Sequence, residues 1–232
     1  MPINEFKQPV GESLPGHTPG ERPSAKVLAG RYCRLEKLSA ARHGADLYAV
    51  YGPDSPLPNW TYLPLNPVAD TAELDALLHK LEQSADPYYF AIIDQANGQA
   101  VGTMSLMRVD TANRVIEVGW VIYSERLKRS RIATEAQFLL AQYVFETLRY
   151  RRYEWKCDAL NQASCRAAER LGFRFEGVFR QAVVYKGRNR DTAWFAMLDS
   201  EWPQVKRRMQ RWLAEENFDA QGRQRVSLQE IE

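Results

Sequence analysis

The feature that most constrains the fold is an apolar strand followed by a basic turn and a long amphipathic helix. Residues 114–123 are rich in β-branched side chains, and residues 132–148 repeat apolar side chains at helical spacing. The turn between them carries four cations, Arg126, Lys128, Arg129 and Arg131. The first amides of a helix lack acceptors within it, and the helix dipole is positive there. This order of elements therefore favours a site for a phosphate group.

The periodicities elsewhere predict a mixed α/β fold in which helices flank a mostly antiparallel sheet. Residues 88–93, 100–108 and 114–123 form three strands joined by short turns, which is typical of an antiparallel meander. The other strands are predicted near residue 27 and at 32–38, 152–159, 173–178, 181–185 and 191–198, and the other helices at 39–51, 72–84, 162–171 and 200–214. Thr71 and Asn161 are the predicted N-caps of two of these helices.

We predict a single domain, residues 27–216, between a flexible N-terminal tail, residues 1–26, and a charged C-terminal tail, residues 217–232. The first tail is rich in Pro, Gly, Glu and Ser. Lys and Arg number 31 against 29 Asp and Glu, and this net charge of +2 argues against a dedicated nucleic-acid-binding protein. No apolar run is long enough for a membrane span, and residues 1–26 lack the apolar core of a signal peptide.

Several classes of site are disfavoured by the motifs that the sequence lacks. Cys33, Cys157 and Cys165 do not have the spacing of metal ligands, and their odd, sparse count is typical of a reducing compartment. We therefore predict a cytoplasmic protein without a bound metal. The chain has no P-loop, no GxSxG nucleophile motif and no HExxH zinc motif. Asn161 and Ser164 directly follow a predicted strand, at the end where α/β sheets usually bind ligands.

Four short phrases resemble the GNAT acetyltransferase superfamily, in particular its RimJ/RimL-like branch. They are Glu117-Val-Gly-Trp120, Ala133-Thr-Glu-Ala136, Asn161-x-x-Ser164 and Leu171-Gly-Phe173. The resemblance extends over residues 27–198 and is strongest in residues 88–198. It implies a GNAT-like twisted sheet that splits where strands 114–123 and 152–159 diverge, with acetyl-CoA bound in the split.

The resemblance also implies how the coenzyme is held and what reaction follows. Amides of residues 129–134 would hold its diphosphate, Asn161 would hold its pantetheine arm, and Ser164 would lie near its sulfur or its phosphopantetheine. The predicted coenzyme-binding residues are therefore Arg126, Lys128, Arg129, Ser130, Arg131, Ile132, Ala133, Thr134, Asn161 and Ser164. An unprotonated amine would attack the thioester directly, while the enzyme orients the reactants, polarises the carbonyl through a strand amide and removes a proton.

Two positions depart from the family pattern. The phosphate loop usually reads Q/R-x-x-G-x-G/A, but this chain has RLKRSR at 126–131 or, in a shifted register, KRSRIA at 128–133. Both lack the first glycine, which eases close approach of backbone to a ligand. We expect the amides still to bind phosphate with added charge from the side chains; a merely solvated turn is the alternative. Ala168 replaces a tyrosine that serves many relatives as general acid, so Ser164 or water would protonate the leaving thiolate.

Glu117 and Ser164 are the predicted catalytic residues. Glu117 lies on the strand next to the expected acetyl site, where an apolar setting can raise the pKa of a carboxyl group and suit it to act as a base. A structural carboxylate bonded to arginine or backbone is the alternative for Glu117. Asp158 is a weaker candidate base, and Cys165 is interpreted as a packed thiol because no histidine lies near it in the sequence.

The predicted acceptor pocket is aromatic. Trp60 and Tyr62 belong to the Pro-rich loop 52–67, and Trp120 and Tyr185 belong to strands. Aromatic walls can stack against an amine-bearing group, although Trp60 and Tyr62 would serve equally well as cover for a core edge. The expected acceptor is an amine-bearing small molecule or a peptide N-terminus, and both a monomer and a homodimer remain open.

Two other functions remain open from the sequence. The missing glycine and tyrosine are compatible with a non-catalytic acyl-CoA-binding or regulatory module of the same fold. A nucleic-acid-binding role for the basic turn is disfavoured by the nearly balanced charge.

Overall fold

A computed structural model describes residues 1–231 of the chain, and within them one eight-stranded sheet is flanked by α-helices. The strands are β1 (Val27–Ala29), β2 (Cys33–Lys37), β3 (Tyr88–Asp94), β4 (Ala100–Asp110), β5 (Val115–Tyr123), β6 (Arg152–Asp158), β7 (Arg174–Tyr185) and β8 (Arg188–Leu198). The helices are α1 (Ala40–Tyr51), α2 (Thr71–Gln83), α3 (Arg131–Gln142), α4 (Gln162–Leu171) and α5 (Trp202–Leu213). The predicted mixed α/β fold is therefore confirmed.

The strand order β1-β2-β3-β4-β5-β6-β8-β7 makes the centre of the sheet unusual. Neighbouring strands are antiparallel except β5 and β6, which run parallel and are joined by the α3 crossover. Their pairing covers only Val115–Val118 of β5 and the facing Arg152–Trp155 of β6, although both strands continue farther. The sheet therefore opens into a split beyond Val118 and Trp155, as the family resemblance implies.

The sheet separates two hydrophobic cores. Because side chains alternate along a strand, Phe90 and Ile92 of β3 enter the core beneath α3 and α5, whereas Tyr89, Ala91 and Ile93 enter the core beneath α1 and α2. Each face of the sheet is thus covered there by its own layer of helices.

A buried carboxylate fixes the start of the sheet to α3. Glu135 is 5% exposed and accepts hydrogen bonds from the amides of Arg31, Tyr32 and Cys33 at 2.7 to 2.8 Å. The first two amides belong to the connection between β1 and β2 and the third begins β2, so one carboxylate ties this part of the sheet to the helix that begins beside the basic turn.

The structure corrects two local predictions. Asp70, not Thr71, is the N-cap of α2, because its carboxylate accepts the Glu73 amide at 2.9 Å. The strands predicted at 173–178 and 181–185 are one continuous strand, β7, which carries a register shift between Phe179 and Val183.

Parts of both predicted tails contact the domain. In the N-terminal segment, the Ser24 amide donates to the Tyr143 hydroxyl at 3.0 Å, and the Tyr150 hydroxyl donates to the Glu21 carbonyl at 3.0 Å. In the C-terminal segment, Leu228 is fully buried in the core beneath α3 and α5. The domain boundaries at residues 26 and 216 stay a prediction.

Candidate active site

A cavity of about 490 Å³ lies at the split. Its walls come from β5 and β6, from the loop before α2, from the start of α4 and from the β7–β8 hairpin. The lining residues that matter for chemistry are Tyr62, Arg108, Glu117, Trp120, Trp155, Lys156, Cys157, Asp158, Asn161, Ser164, Phe179, Arg190, Thr192 and Trp194. The cavity therefore joins the α4 side of the sheet to its opposite face.

The basic turn ends in a capped helix. Ser130 is the N-cap of α3, and its hydroxyl oxygen accepts the Ala133 amide at 3.1 Å. Arg129, just before it, has a φ of +56°, a left-handed conformation that a glycine adopts at lower cost. This matches the first glycine position of the 126–131 register, whereas the 128–133 register would place that position at Arg131, inside the helix.

The four cations of the turn have different surroundings. Arg126 pairs with Asp94 at 3.2 Å, and Lys128 pairs with Glu125 at 2.6 Å and donates to Asn59. The guanidinium of Arg131 lies 3.5 Å from the centre of the Phe218 ring and 4.5 Å from that of Tyr32. Arg129 is exposed and has no hydrogen bond or ion pair to any of residues 1–231. Arg129 is therefore the cation of this turn that can turn to a ligand without losing a contact.

The start of α4 presents two polar groups to the cavity. As predicted, Asn161 is an N-cap, and its side-chain oxygen accepts the Ser164 amide at 3.1 Å. This bond leaves the side-chain amide nitrogen of Asn161 available as a donor. The Ser164 hydroxyl oxygen accepts the Trp155 indole N–H at 3.0 Å, and its own hydrogen can be donated to the Cys157 sulfur or to a ligand.

Two thiols lie beside these groups. The sulfur atoms of Cys157 and Cys165 are 3.6 Å apart, and Cys165 is only half-buried. Burial raises the pKa of the Cys157 thiol to about 12. Cys157 is thus a thiol, not a nucleophilic thiolate, at neutral pH.

Glu117 lies on β5 at the cavity and is 5% exposed. Its carboxylate oxygen Oε2 is 2.9 Å from the ammonium of Lys156 and 3.3 Å from Nε of Arg108. Burial raises the pKa of Glu117, and it outweighs the opposing effect of Lys156 and Arg108. A carboxyl group with a raised pKa can accept a proton from an amine more readily than an exposed one.

Lys156 belongs to a buried charge network. Its ammonium also lies 2.7 Å from Glu154 and 3.7 Å from the centre of the Trp194 ring. Glu154 pairs in turn with Arg152 at 2.7 Å. The network holds Glu117 in a fixed position on the cavity wall.

A β-bulge interrupts β5 directly beyond the paired segment. Thr103 of β4 faces Ile122, whereas Ser105 faces Gly119, so Trp120 and Val121 form an insertion in the ladder. Trp120 has a φ of +50°. At this point β5 no longer pairs with β6, and both residues of the bulge line the cavity.

The predicted aromatic residues are divided between the cavity and the core. Tyr62 and Trp120 line the cavity. Trp60 is 2% exposed, donates to the Ser55 hydroxyl at 2.9 Å and packs against Tyr51, so it lies in the core beneath α1 and not in the cavity wall. Tyr185 is not among the residues that line the cavity, but its hydroxyl donates a hydrogen bond at 2.9 Å to Asp158, which does line it.

Sequence reasoning missed Lys156, Arg190 and Trp194. Lys156 could have been found, because strict alternation along residues 152–158 puts it on the face opposite Trp155. Arg190 lies outside the strand predicted at 191–198, but the hairpin turn is only Lys186-Gly187 and Arg190 lies within β8. Its position on the cavity wall depends on the length of the hairpin, which periodicity did not indicate.

In the described part of the chain, no helix has the length and apolar character needed to cross a membrane. Across the same 231 residues, no three His, Cys, Asp or Glu side chains cluster so that they could hold a metal ion.

Comparisons with known proteins point to one family. The model of the acetyltransferase (GNAT) domain matches residues 34–174. A crystal structure of a GCN5-related N-acetyltransferase from Brucella melitensis is 52% identical, with a TM-score of 0.91 over 94% of this chain and 98% of that one. The uncharacterized N-acetyltransferase p20 of Bacillus licheniformis is 25% identical over 73% of this chain and 95% of its own length. The putative ribosomal N-acetyltransferase YdaF of Bacillus subtilis is 32% identical over 46% of this chain and 57% of its own length.

Proposed function

Because the chain belongs to the GNAT acetyltransferase family, we propose that this N-acetyltransferase moves the acetyl group of acetyl-CoA to a primary amine in the cavity at the split. The observation that carries the proposal is the separation of β5 and β6 beyond Val118 and Trp155, directly beside a cavity that holds a buried carboxylate. An extended thioester can reach a carboxylate on the far face of the sheet only through such an opening.

The residues present fit acetyl-CoA. The first amides of α3 lack acceptors within the helix and suit a diphosphate, and the left-handed Arg129 brings the chain into that helix as a glycine would. The free amide nitrogen of Asn161 suits a carbonyl of the pantetheine arm. When bound, acetyl-CoA would supply the activated acyl group.

The protein's own groups then promote the transfer. Glu117 removes a proton from the attacking amine, and an amide of the bulge at Trp120 and Val121 donates to the thioester oxygen. The Ser164 hydroxyl, or a water in its place, donates a proton to the departing sulfur and regains one from solvent, while Glu117 releases to solvent the proton that it took from the amine. The position of each group along the cavity wall supports these proposed roles.

The finer assignment belongs to the same proposal. We place the chain in the RimJ/RimL-like branch, since its relative YdaF is named a putative ribosomal N-acetyltransferase, and we propose a cytoplasmic enzyme, monomeric or homodimeric. The acceptor is a protein N-terminus, an amino acid or an aminoacyl-type small molecule.

The decisive experiment measures coenzyme binding and turnover side by side. Calorimetry with CoA tests the site, and release of free thiol from acetyl-CoA over a panel of amines and peptides tests the reaction. We expect binding together with turnover on at least one amine. Tight CoA binding without turnover on any acceptor would contradict acetyl transfer and favour a non-catalytic acyl-CoA-binding module; absence of CoA binding would contradict both.

A further inference from the structure

The charged side chains of the cavity are not balanced. Three cations, Arg108, Lys156 and Arg190, line it against two carboxylates, Glu117 and Asp158. Glu117 contacts both Arg108 and Lys156, so these three form one ion-paired group. Arg190 and Asp158 are left outside that group.

Neither Arg190 nor Asp158 forms an ion pair with any of residues 1–231. Asp158 is 4% exposed and accepts from the Tyr185 hydroxyl at 2.9 Å and from the Leu160 amide at 2.9 Å. Arg190 is half-buried, and its Nε donates to the Thr192 hydroxyl at 3.2 Å. This bond uses one of five guanidinium hydrogens, so the two terminal nitrogens of Arg190 keep the pair of parallel donors that matches a carboxylate.

The strand register puts these groups on one face of the sheet. Asp158 of β6 lies opposite Thr192 of β8, and Arg190 precedes Thr192 by two residues on the same strand. Alternation along the strands therefore directs all three side chains to the face that also carries Lys156 and Trp194. The cavity thus offers an unpaired cation on the face where Glu117 also lies.

We propose that the acceptor is a small primary amine that also carries a carboxylate, and that Arg190 binds this carboxylate. The inference rests on the proposed acetyl transfer and narrows its acceptor. With the amine directed to Glu117, the carboxylate of such an acceptor supplies the partner that Arg190 lacks. A polyamine would instead add positive charge to a wall on which cations already outnumber carboxylates.

A bridge between two walls of the cavity argues for a small molecule. At the tip of the β7–β8 hairpin, Lys186 donates to the Trp60 carbonyl at 2.8 Å and Arg188 donates to the Thr61 carbonyl at 2.7 Å. The hairpin and the loop before α2 both line the cavity and meet through these bonds. A folded protein that presents its N-terminus would need these two walls to separate, whereas a free amino acid is small enough to lie between them.

The test compares acceptors that differ only in the carboxylate. Wild type and Arg190→Gln are assayed by thiol release with the standard amino acids, with the matching amino acid amides and with spermidine. We expect wild type to prefer acids over their amides, and Arg190→Gln to lose about 10–100-fold in kcat/KM for the acids alone, the size expected for a hydrogen bond between charged groups. Arg190→Lys should recover part of the loss, since it keeps the charge but not the paired donors.

Two controls separate a specific loss from a general one. Arg180→Gln removes a hairpin guanidinium that does not line the cavity and should leave every acceptor unchanged. CoA binding to Arg190→Gln should equal that of wild type. Amides used as well as acids by wild type, or an equal loss for acids and amides in Arg190→Gln, would overturn the inference while leaving acetyl transfer intact.

A binding measurement decides the matter without turnover. Calorimetry of the enzyme with CoA compares N-acetyl amino acids with the matching N-acetyl amino acid amides, which are the products of the two acceptor classes. We expect tighter binding of the acids to wild type and no such preference in Arg190→Gln. Equal binding of acids and amides to wild type would refute the role of Arg190, even if the coenzyme site itself is confirmed.

Discussion

The basic turn before α3 and the charged sheet face beside the split both carry cations, but they hold them differently. In the turn, the side chains of Arg126 and Lys128 are 57% and 40% exposed. On the sheet face, the side chains of Lys156 and Glu117 are each 7% exposed. An exposed ion pair contributes about 0–1 kcal/mol, whereas breaking a buried pair costs about 3–5 kcal/mol.

The two regions therefore depend on different parts of the chain, one on its backbone and the other on its side chains. At the turn, the conformation of the backbone matters most, because the helix amides point outward whatever the neighbouring side chains are. On the sheet face, the identity and partners of each side chain matter, because the buried groups are fixed by one another. Substitutions should therefore be tolerated at the turn and costly on the sheet face.

The largest effect is expected for Glu117→Gln. If Glu117 is the base, kcat falls by about 10²-fold or more, since a glutamine cannot accept the proton of the amine. Steady-state kinetics with any accepted amine measures the loss. The matched control is Glu154→Gln, because Lys156 contacts both carboxylates, at 2.9 and 2.7 Å, and each variant leaves it one partner. Similar melting temperatures but a rate loss in Glu117→Gln alone would assign the chemistry to Glu117.

The pH profile sharpens this prediction. A base works only when unprotonated, so kcat should rise with pH through the pKa of Glu117 and then level off. Because burial raises this pKa above the ordinary value of 4.5, the rising limb should lie above that pH in wild type and be absent in Glu117→Gln. A full kcat in Glu117→Gln at every pH would leave Glu117 a purely structural carboxylate.

A smaller effect is expected at the turn, from Arg129. Arg129→Glu should weaken CoA binding about 10-fold, because it reverses the one cation of the turn that lacks a partner among the described residues. Arg129→Gly should bind CoA within about threefold of wild type, because glycine adopts the φ of +56° without strain. Calorimetry with CoA measures both. Arg131→Gln is the control and should leave CoA binding nearly unchanged, since the Arg131 side chain packs against Tyr32 and Phe218.

Two other outcomes would contradict this explanation of diphosphate binding. Equal weakening in Arg129→Glu and Arg129→Gly would mean that the side chain, not the backbone, holds the diphosphate. No change in either variant would place the diphosphate away from this turn.

Local features of the fold could be predicted from the sequence, whereas contacts between distant residues could not. The strand, the turn and the helix that begins after it were predictable because periodicity and charge are local properties, although α3 ends at Gln142 and a π-helix, Tyr143–Thr147, follows it. Asn161 was a predictable cap because its side chain bonds three residues ahead. The pairing of Glu117 with Lys156 was not, because it joins residues from β5 and β6 that only the parallel register brings together. Trp60 shows the same limit in reverse: a large aromatic side chain in a loop gives no sign of whether it faces the core or the cavity.

The smallest expected effect concerns Asn161, where the two ways of building a site meet in one side chain. Its oxygen caps α4 at 3.1 Å from the Ser164 amide, and its amide nitrogen is left for the pantetheine arm. Asn161→Asp keeps the capping oxygen but replaces the donor by an acceptor, whereas Asn161→Ala loses both. We therefore expect both variants to raise the KM for acetyl-CoA several-fold, but only Asn161→Ala to lose about 1 kcal/mol in the free energy of unfolding. Chemical denaturation and steady-state kinetics of the two variants measure this. A normal KM in Asn161→Asp would limit Asn161 to the cap and leave the pantetheine arm to other groups of the split.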